Sequence, residues 1–294
     1  MTEPTLHDLN CLDARGLHRM AYWAWGDPAN PRVLVCVHGL TRQGRDFDTL
    51  ARDLCGEYRV ICPDVVGRGR SDRLPDAMGY GIPTYVADMV ALVARLGVPQ
   101  VDWVGTSMGG LIGLGLAALP TAAGSPGLVR KLVLNDVGPT IEPSSLQRIG
   151  SYLGRPAHWA TVDEAADALR AVSLGFGPHT REEWLALTRP QLVQHDSGSG
   201  YKSHYDPAIA LPFMAATSEM AAIGEALLWQ SYDRLTCPTL LLRGAESDLL
   251  SPATAQAMTQ RGPRARLVAF AGVGHAPTLV AADQRAAIRQ FLLG

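Results

Sequence analysis

Residues 101–110 read Val-Asp-Trp-Val-Gly-Thr-Ser-Met-Gly-Gly. A short apolar run, 101–104, passes at once into Gly105-Thr106-Ser107-Met108-Gly109 and then into a small-residue apolar stretch that extends to Leu119. The middle five residues fit the pattern G-x-S-x-G in the one context where it carries chemistry: strand before, helix after. A sharp strand-to-helix turn there would expose the Ser107 hydroxyl. Side chains two residues before or after the serine would clash across that turn, so both places need glycine. The helix starting beneath the serine would aim its N–H groups and dipole at an anion developing there. Gly109, Gly110, Gly113 and Gly115 also permit close helix–sheet packing, a purely structural use.

Working outward, apolar runs of the same kind stand at 33–37 (VLVCV), 59–62 (RVIC), 131–134 (KLVL), 239–242 (TLLL) and 266–270 (RLVAF). They are continuous rather than alternating and end in Gly, Asp, Pro or Asn, as strands covered on both faces do. Helix-length segments lie between them at 46–54, 85–96, 108–119, 252–261 and 282–293. The alternation predicts an α/β protein with a doubly wound, mostly parallel sheet. Segments 6–13 and 18–25 read as an antiparallel pair at the start. From about Gly138 to Asp233 the rhythm stops, and aromatics such as Trp159, Phe176, Phe213 and Trp229 fill a stretch with no strand pattern. That is too long for a loop in a compact domain. The expected layout is therefore a core of residues 1–137 and 234–294 and an inserted helical cap, 138–233. The run Ser197-Gly198-Ser199-Gly200 reads as a flexible joint within it.

A serine hydroxyl needs a base. Of eight histidines, His7, His18, His158 and His179 lie in polar surroundings and read as surface groups, and His195 and His204 fall in the cap. His38 and His275 stand in loops after strands, where an open α/β sheet builds its active crevice. His275 follows the serine in chain order, as this arrangement demands. His38, next to Gly39, is expected to brace its loop. The acid that orients the base is expected at Asp248, in the loop before the last strand. Ser251 and Pro252 can cap and open the next helix and so stiffen that loop. Asp136, in Leu134-Asn-Asp-Val-Gly-Pro, is its rival and Glu246 a lesser one. Asp64 also ends a strand but precedes the serine. Oxyanion donors are expected at the N–H groups of Met108, after the nucleophile, and Leu40, in the loop after the 33–37 run. Trp159, Phe213 and Trp229 are expected to line an apolar substrate pocket.

Composition excludes other classes. Lys+Arg 26 against Asp+Glu 28 gives a net charge of −2, so no basic excess exists to neutralise phosphates. Charged residues make up 18% of the chain, below the usual ~25%, which implies extensive burial. The five cysteines, Cys11, Cys36, Cys55, Cys62 and Cys237, show no metal-binding spacing, and their odd number points to a reducing, cytoplasmic location. Residues 1–19 lack a signal pattern, and no run of eighteen apolar residues occurs. Gly67-Arg-Gly-Arg-Ser-Asp72 lacks the third glycine of a dinucleotide fingerprint, and no P-loop pattern exists. The expected partner is a small-molecule substrate, without nucleic acid, membrane, metal or cofactor.

His38-Gly39-Leu40, Asp64 through Asp72, Gly105 through Gly109, Gly244-Ala-Glu-Ser-Asp248 and Gly274-His275 together resemble the α/β-hydrolase fold superfamily, in family order over nearly the whole chain. The resemblance implies an eight-stranded sheet with a helical cap and a Ser–Asp–His triad at Ser107, Asp248 and His275. It does not fix the substrate. Similar epoxide hydrolases and haloalkane dehalogenases carry an aspartate at the turn, so Ser107 points instead to acyl transfer to water from an ester, thioester or lactone. A carbon–carbon hydrolase of diketones shares the same pieces and would bind a substrate carboxylate with an arginine such as Arg42 or Arg189. A perhydrolase-like activity fits less well with so large a cap. A ligand receptor on a hydrolase frame is the reading from outside enzymology.

Overall fold

Short runs of valine and leucine suit strands that are covered on both faces, and such strands form the middle of this sheet. All five residues of Val33–Val37 and all six of Thr239–Gly244 are buried. The structure, a computed structural model, describes residues 3–120 and 126–294. Its elements in chain order are β1 (Thr5–Asp13), β2 (Gly16–Trp25), β3 (Val33–Val37), α1 (Asp48–Leu54), β4 (Arg59–Pro63), α2 (Ile82–Leu96), β5 (Val101–Thr106), α3 (Met108–Ala117) and β6 (Val129–Asn135). Then come α4 (Pro143–Gly150), α5 (Val162–Val172), α6 (Arg181–Thr188), β7 (Leu192–Gln194), β8 (Tyr201–Ser203), α7 (Ala210–Ala215) and α8 (Ser218–Asp233). The chain closes with β9 (Thr239–Gly244), α9 (Pro252–Met258), β10 (Arg266–Phe270) and α10 (Ala282–Leu293).

Eight strands form one sheet in the order β1-β2-β4-β3-β5-β6-β9-β10. β1 and β2 pair antiparallel, β2 runs antiparallel to β4, and the remaining neighbours are parallel. Helices cover both faces. Met89 and Leu92 of α2, Ile112 and Leu116 of α3 and Met258 of α9 pack into one core with Val35, Trp103 and Leu134. Leu50 and Leu54 of α1 and Ile288 and Leu292 of α10 pack into the other with Leu34, Val104 and Leu240. Each such fully buried side chain contributes roughly 1.5–3 kcal/mol. A sheet wound this way collects the carboxyl ends of β3, β5, β6, β9 and β10 along one edge, where loops meet in a crevice.

The segment between β6 and β9 carries α4 to α8, as a mostly helical insertion. It also contains strands where none was expected. β7 and β8 pair antiparallel, and Trp159 bridges to Tyr201 beside them. Strands of three residues are too short to show a period-two pattern. Ser197–Gly200 is the hairpin's turn rather than a joint. Gly198 and Gly200 take positive φ there, and the Gly198 and His195 N–H groups close it onto the His195 and Gly200 carbonyls at 2.9 and 3.0 Å.

Polar contacts tie the insertion to the sheet. Gln43 Nε2 donates to the Pro190 carbonyl at 2.5 Å, Tyr80 Oη to Asp206 at 2.7 Å, and the Gly69 N–H to His204 Nδ1 at 2.7 Å. His204 is buried, and desolvation, helped by the Arg42 charge, pushes its pKa down to about 3. It is therefore neutral, with Nδ1 accepting from Gly69 and Nε2 facing the Thr41 carbonyl and Gln191. His18 departs from its surface expectation: it is buried against Asp88 at 3.1 Å, between the first hairpin and α2.

Candidate active site

Ser107 holds the turn between β5 and α3 at φ 51°, ψ −117°, a conformation an L-residue adopts only when its surroundings enforce it. Those surroundings are visible. A Cβ on Gly105 would meet the Gly109 carbonyl and Gly110, and a Cβ on Gly109 would overlap the Val37 carbonyl at the end of β3. The two glycines let strand, turn and helix close on one another, and the serine is left at the crest.

His275 sits beyond β10 in the loop that begins at Ala271. The Gly274 N–H donates to the Gly175 carbonyl of the insertion at 2.7 Å, and Asn135 Nδ2 holds the Pro277 carbonyl at 2.8 Å. His275 Nε2 lies 3.0 Å from Ser107 Oγ. Its Nδ1 lies 2.7 Å from an oxygen of Asp136. The carboxylate thus fixes the tautomer: Nδ1–H donates to Asp136, and Nε2 is left to accept the serine proton.

The carboxylate that meets His275 Nδ1 is that of Asp136, where Asp248 was expected. Asp136 is the first residue beyond β6, completely buried, at φ 55°. Its carboxylate also accepts the Gly244 N–H at 2.9 Å and the Ser247 hydroxyl at 2.6 Å. Three donors, the His275 Nδ1–H, the Gly244 N–H and the Ser247 hydroxyl, thus converge on one buried carboxylate. Asp248 is half-exposed and makes a two-pronged ion pair with Arg148 at 2.7 and 3.0 Å. Ser251 does cap α9, accepting from the Thr254 N–H at 3.2 Å, so the loop is stiff as expected. Its stiffness serves Asp136, because Gly244 and Ser247 belong to it. Glu246, on the same loop, is exposed.

His38 braces its loop, as expected. It is buried, with Nδ1 2.7 Å from the Gly39 carbonyl and Nε2 accepting the Val65 N–H at 3.0 Å. Burial pushes its pKa well below the usual histidine range, so it stays neutral and keeps both bonds. Asp64 anchors the neighbouring loop by accepting the Gly44 and Arg70 N–H groups at 2.8 Å each, and burial raises its pKa to about 6. Arg68 reaches beyond its own turn. Fully buried, it donates from Nε to the Leu40 carbonyl at 2.9 Å, and its Nη2 lies 3.5 Å from the Met108 sulfur. One guanidinium thus links the two residues that flank Ser107. The Leu40 N–H makes no hydrogen bond among the described residues, and Met108 opens α3, where N–H groups lack helical partners.

Two chambers meet at Ser107. One, of about 320 Å³, is lined by Leu40, His275, Tyr152, Trp159, Phe176 and Tyr205. The other, of about 260 Å³ and mostly apolar, is lined by Tyr80, Ile82, Met108, Leu111, Ile141 and Phe213. Trp159 and Phe213 therefore each line one of the chambers that include Ser107. Trp229 lines neither chamber: its ring packs on Tyr232 and under the Arg261 guanidinium, and its Nε1 donates to Thr140 at 2.9 Å. Arg42 lines the first chamber but is neutralised by Asp46 at 2.6 Å, and Arg189 lies in a separate cleft. The one buried trio of histidine, cysteine and carboxylate groups among the described residues, Cys11, His18 and Asp88, lies outside both chambers.

The chain belongs to the α/β hydrolase fold family, whose model matches residues 32–282. A 3-hydroxybutyrate-oligomer hydrolase of Cupriavidus necator is 55% identical over 293 residues, covering 99% of this chain and 98% of the relative. An α/β hydrolase from Novosphingobium aromaticivorans is 37% identical, with a TM-score of 0.84 over 100% of this chain and 99% of that one. A putative hydrolase from Rickettsia typhi is 28% identical, with a TM-score of 0.87 over 99% of each chain.

Proposed function

We propose that the protein is a serine hydrolase of short oligoesters of 3-hydroxy acids, working through an acyl-enzyme on Ser107. The observation that carries this reading is the hydrogen-bonded relay Ser107–His275–Asp136, with 3.0 and 2.7 Å between its members, placed where two chambers meet. The relationship to the 3-hydroxybutyrate-oligomer hydrolase supports the ester class and its 3-hydroxy acid units.

The geometry performs the reaction in two halves. His275 Nε2 takes the Ser107 proton as Oγ attacks the ester carbonyl, and Asp136 stabilises the imidazolium that forms. Charge gathers on the carbonyl oxygen, where the N–H groups of Met108 and Leu40 form the oxyanion hole. The ester C–O bond then breaks, and His275 returns the proton to the departing alcohol oxygen. Water repeats the sequence against the acyl-enzyme and releases the acid. The insertion acts as a cap: Trp159 and Phe213 close one chamber each and set which chains fit. No residue of the relay needs a metal or cofactor for this chemistry. A cytoplasmic location is part of the proposal.

A carbon–carbon hydrolase remains the second reading, since it shares the relay. The neutralised Arg42 and the distant Arg189 weigh against the carboxylate contact first expected for it. A fluorophosphonate probe followed by peptide mass spectrometry tests the central step. The adduct is expected on Ser107, and Ser107→Ala should lose about 10⁴- to 10⁶-fold in kcat on a 3-hydroxybutyrate dimer. Labelling elsewhere, or turnover retained in the alanine variant, overturns the assignment.

A further inference from the structure

The two chambers beside Ser107 differ in charge, and that difference has a chemical meaning for an oligoester. Three arginines and no acidic residue line the larger chamber: Arg42, Arg148 and Arg155. Two of them are already neutralised. Arg42 pairs with Asp46 at 2.6 Å, and Arg148 pairs with Asp248 at 2.7 Å. Arg155 has no acidic partner among the described residues. Its backbone is nonetheless fixed. The Arg155 N–H donates to the Tyr152 carbonyl at 3.2 Å, the preceding Gly154 N–H donates to Tyr205 Oη at 3.3 Å, and Pro156 follows. Gly154 takes φ 74° with Ala210 and the Pro207 carbonyl packed against its α-carbon, so a side chain there would be rejected and the turn cannot relax readily. A single uncompensated cation is therefore anchored by a fixed backbone on the wall of a chamber that opens on Ser107.

The smaller chamber offers no such group. No charged residue lines it, and its tyrosine hydroxyls are engaged: Tyr80 Oη donates to Asp206 at 2.7 Å, and Tyr85 Oη accepts from Arg68 at 2.9 Å.

An oligomer of a hydroxy acid has two unlike ends, a free hydroxyl and a free carboxylate. At any ester bond the acyl half leads to the hydroxyl end and the alcohol half leads to the carboxylate end. We infer that Arg155 is the carboxylate subsite of this enzyme. It binds the terminal carboxylate of the alcohol half in the larger chamber, while the acyl half lies in the apolar chamber. The chain is thereby laid across Ser107 in one direction, and the group that leaves is a hydroxy acid anion cut from the carboxylate end. The inference rests on the ester-hydrolase reading and goes beyond it, because an esterase of neutral substrates needs no such cation. The guanidinium is exposed, which limits the attraction through screening and makes it salt-dependent.

The test compares two substrates that differ only at the far end: the linear dimer of 3-hydroxybutyrate as its free acid, and the methyl ester of that dimer's carboxyl group. The readout is the ratio of kcat/KM for cleavage of the internal ester in each. The wild-type protein is expected to favour the free acid. Arg155→Gln should lower the ratio about 10-fold, the low end for a charge-assisted hydrogen bond, mainly through KM, and Arg155→Lys should recover part of it. Added salt should lower the wild-type ratio and leave that of Arg155→Gln flat. A wild-type ratio near one, or a ratio unaltered in Arg155→Gln whatever the absolute rates, overturns the subsite. Cleavage of the internal ester in both substrates with such a ratio would leave the ester-hydrolase reading standing. Failure of the wild type to cleave either would instead remove that reading.

Discussion

The exits of β6 and β9 make opposite uses of an aspartate. The two strands are parallel and adjacent in the sheet, and both end in buried residues. Asp136 follows β6 immediately, inside the sheet's edge, and has no exposure to solvent. Asp248 stands four residues beyond β9, on the far side of a turn, and reaches outward to Arg148. The β9 exit supplies donors instead of the acid: the Gly244 N–H and the Ser247 hydroxyl converge on Asp136. An orienting carboxylate has to stay ionised while buried, and that requires a shell of donors more than it requires a stiff loop of its own. The division of labour between the two exits provides that shell.

The largest expected effect separates the two aspartates. Asp136→Asn should lower kcat on the dimer by about 10⁴-fold near neutral pH, since the amide favours the wrong imidazole tautomer. Asp248→Asn loses only an exposed ion pair, whose loss costs about 1 kcal/mol of stability at most, and its kcat should stay near that of the wild type. Steady-state kinetics with thermal unfolding checks both. Equal losses in the two variants would break the comparison. A smaller effect sharpens it. Ser247→Ala removes one donor from the ionised Asp136 and should cost about 10-fold in kcat, the scale of one hydrogen bond to a charged group, with KM little altered. No change in Ser247→Ala would mean that the β9 loop contributes nothing to the acid.

Much of this was legible before any coordinates. The Val-Asp-Trp-Val-Gly-Thr-Ser-Met-Gly-Gly stretch announced strand, turn and helix because a sharp turn around an exposed serine requires glycine at both 105 and 109, after an apolar run and before a small-residue stretch. His275 was legible from its loop and chain order, and His38 as a brace from the glycine beside it. Which carboxylate meets His275 was not legible, because both aspartates follow strands and the feature that separates them is not local. Gly244 and Ser247 lie 108 and 111 residues from Asp136 along the chain, so nothing near Asp136 in sequence reveals its donors. The one local signal was distance from the strand: Asp136 directly abuts its apolar run, whereas Asp248 lies several residues past its own. The β7–β8 hairpin was invisible because each strand is three residues long. Trp229 looked like a pocket residue because an aromatic in a helical stretch carries no mark of the face it will occupy. Only packing on Tyr232 and Arg261 decides that.

The most direct test of the relay looks at the proton between its second and third members. A short N–H···O⁻ bond from His275 Nδ1 to a buried carboxylate strongly deshields that proton, so proton NMR of the protein with ¹⁵N-labelled histidine should show a far-downfield imidazole resonance. The account predicts that this signal is present in the wild type and in Asp248→Asn, and that it vanishes or moves strongly upfield in Asp136→Asn. A signal that survives in Asp136→Asn and disappears in Asp248→Asn would contradict the assignment of Asp136 as the acid.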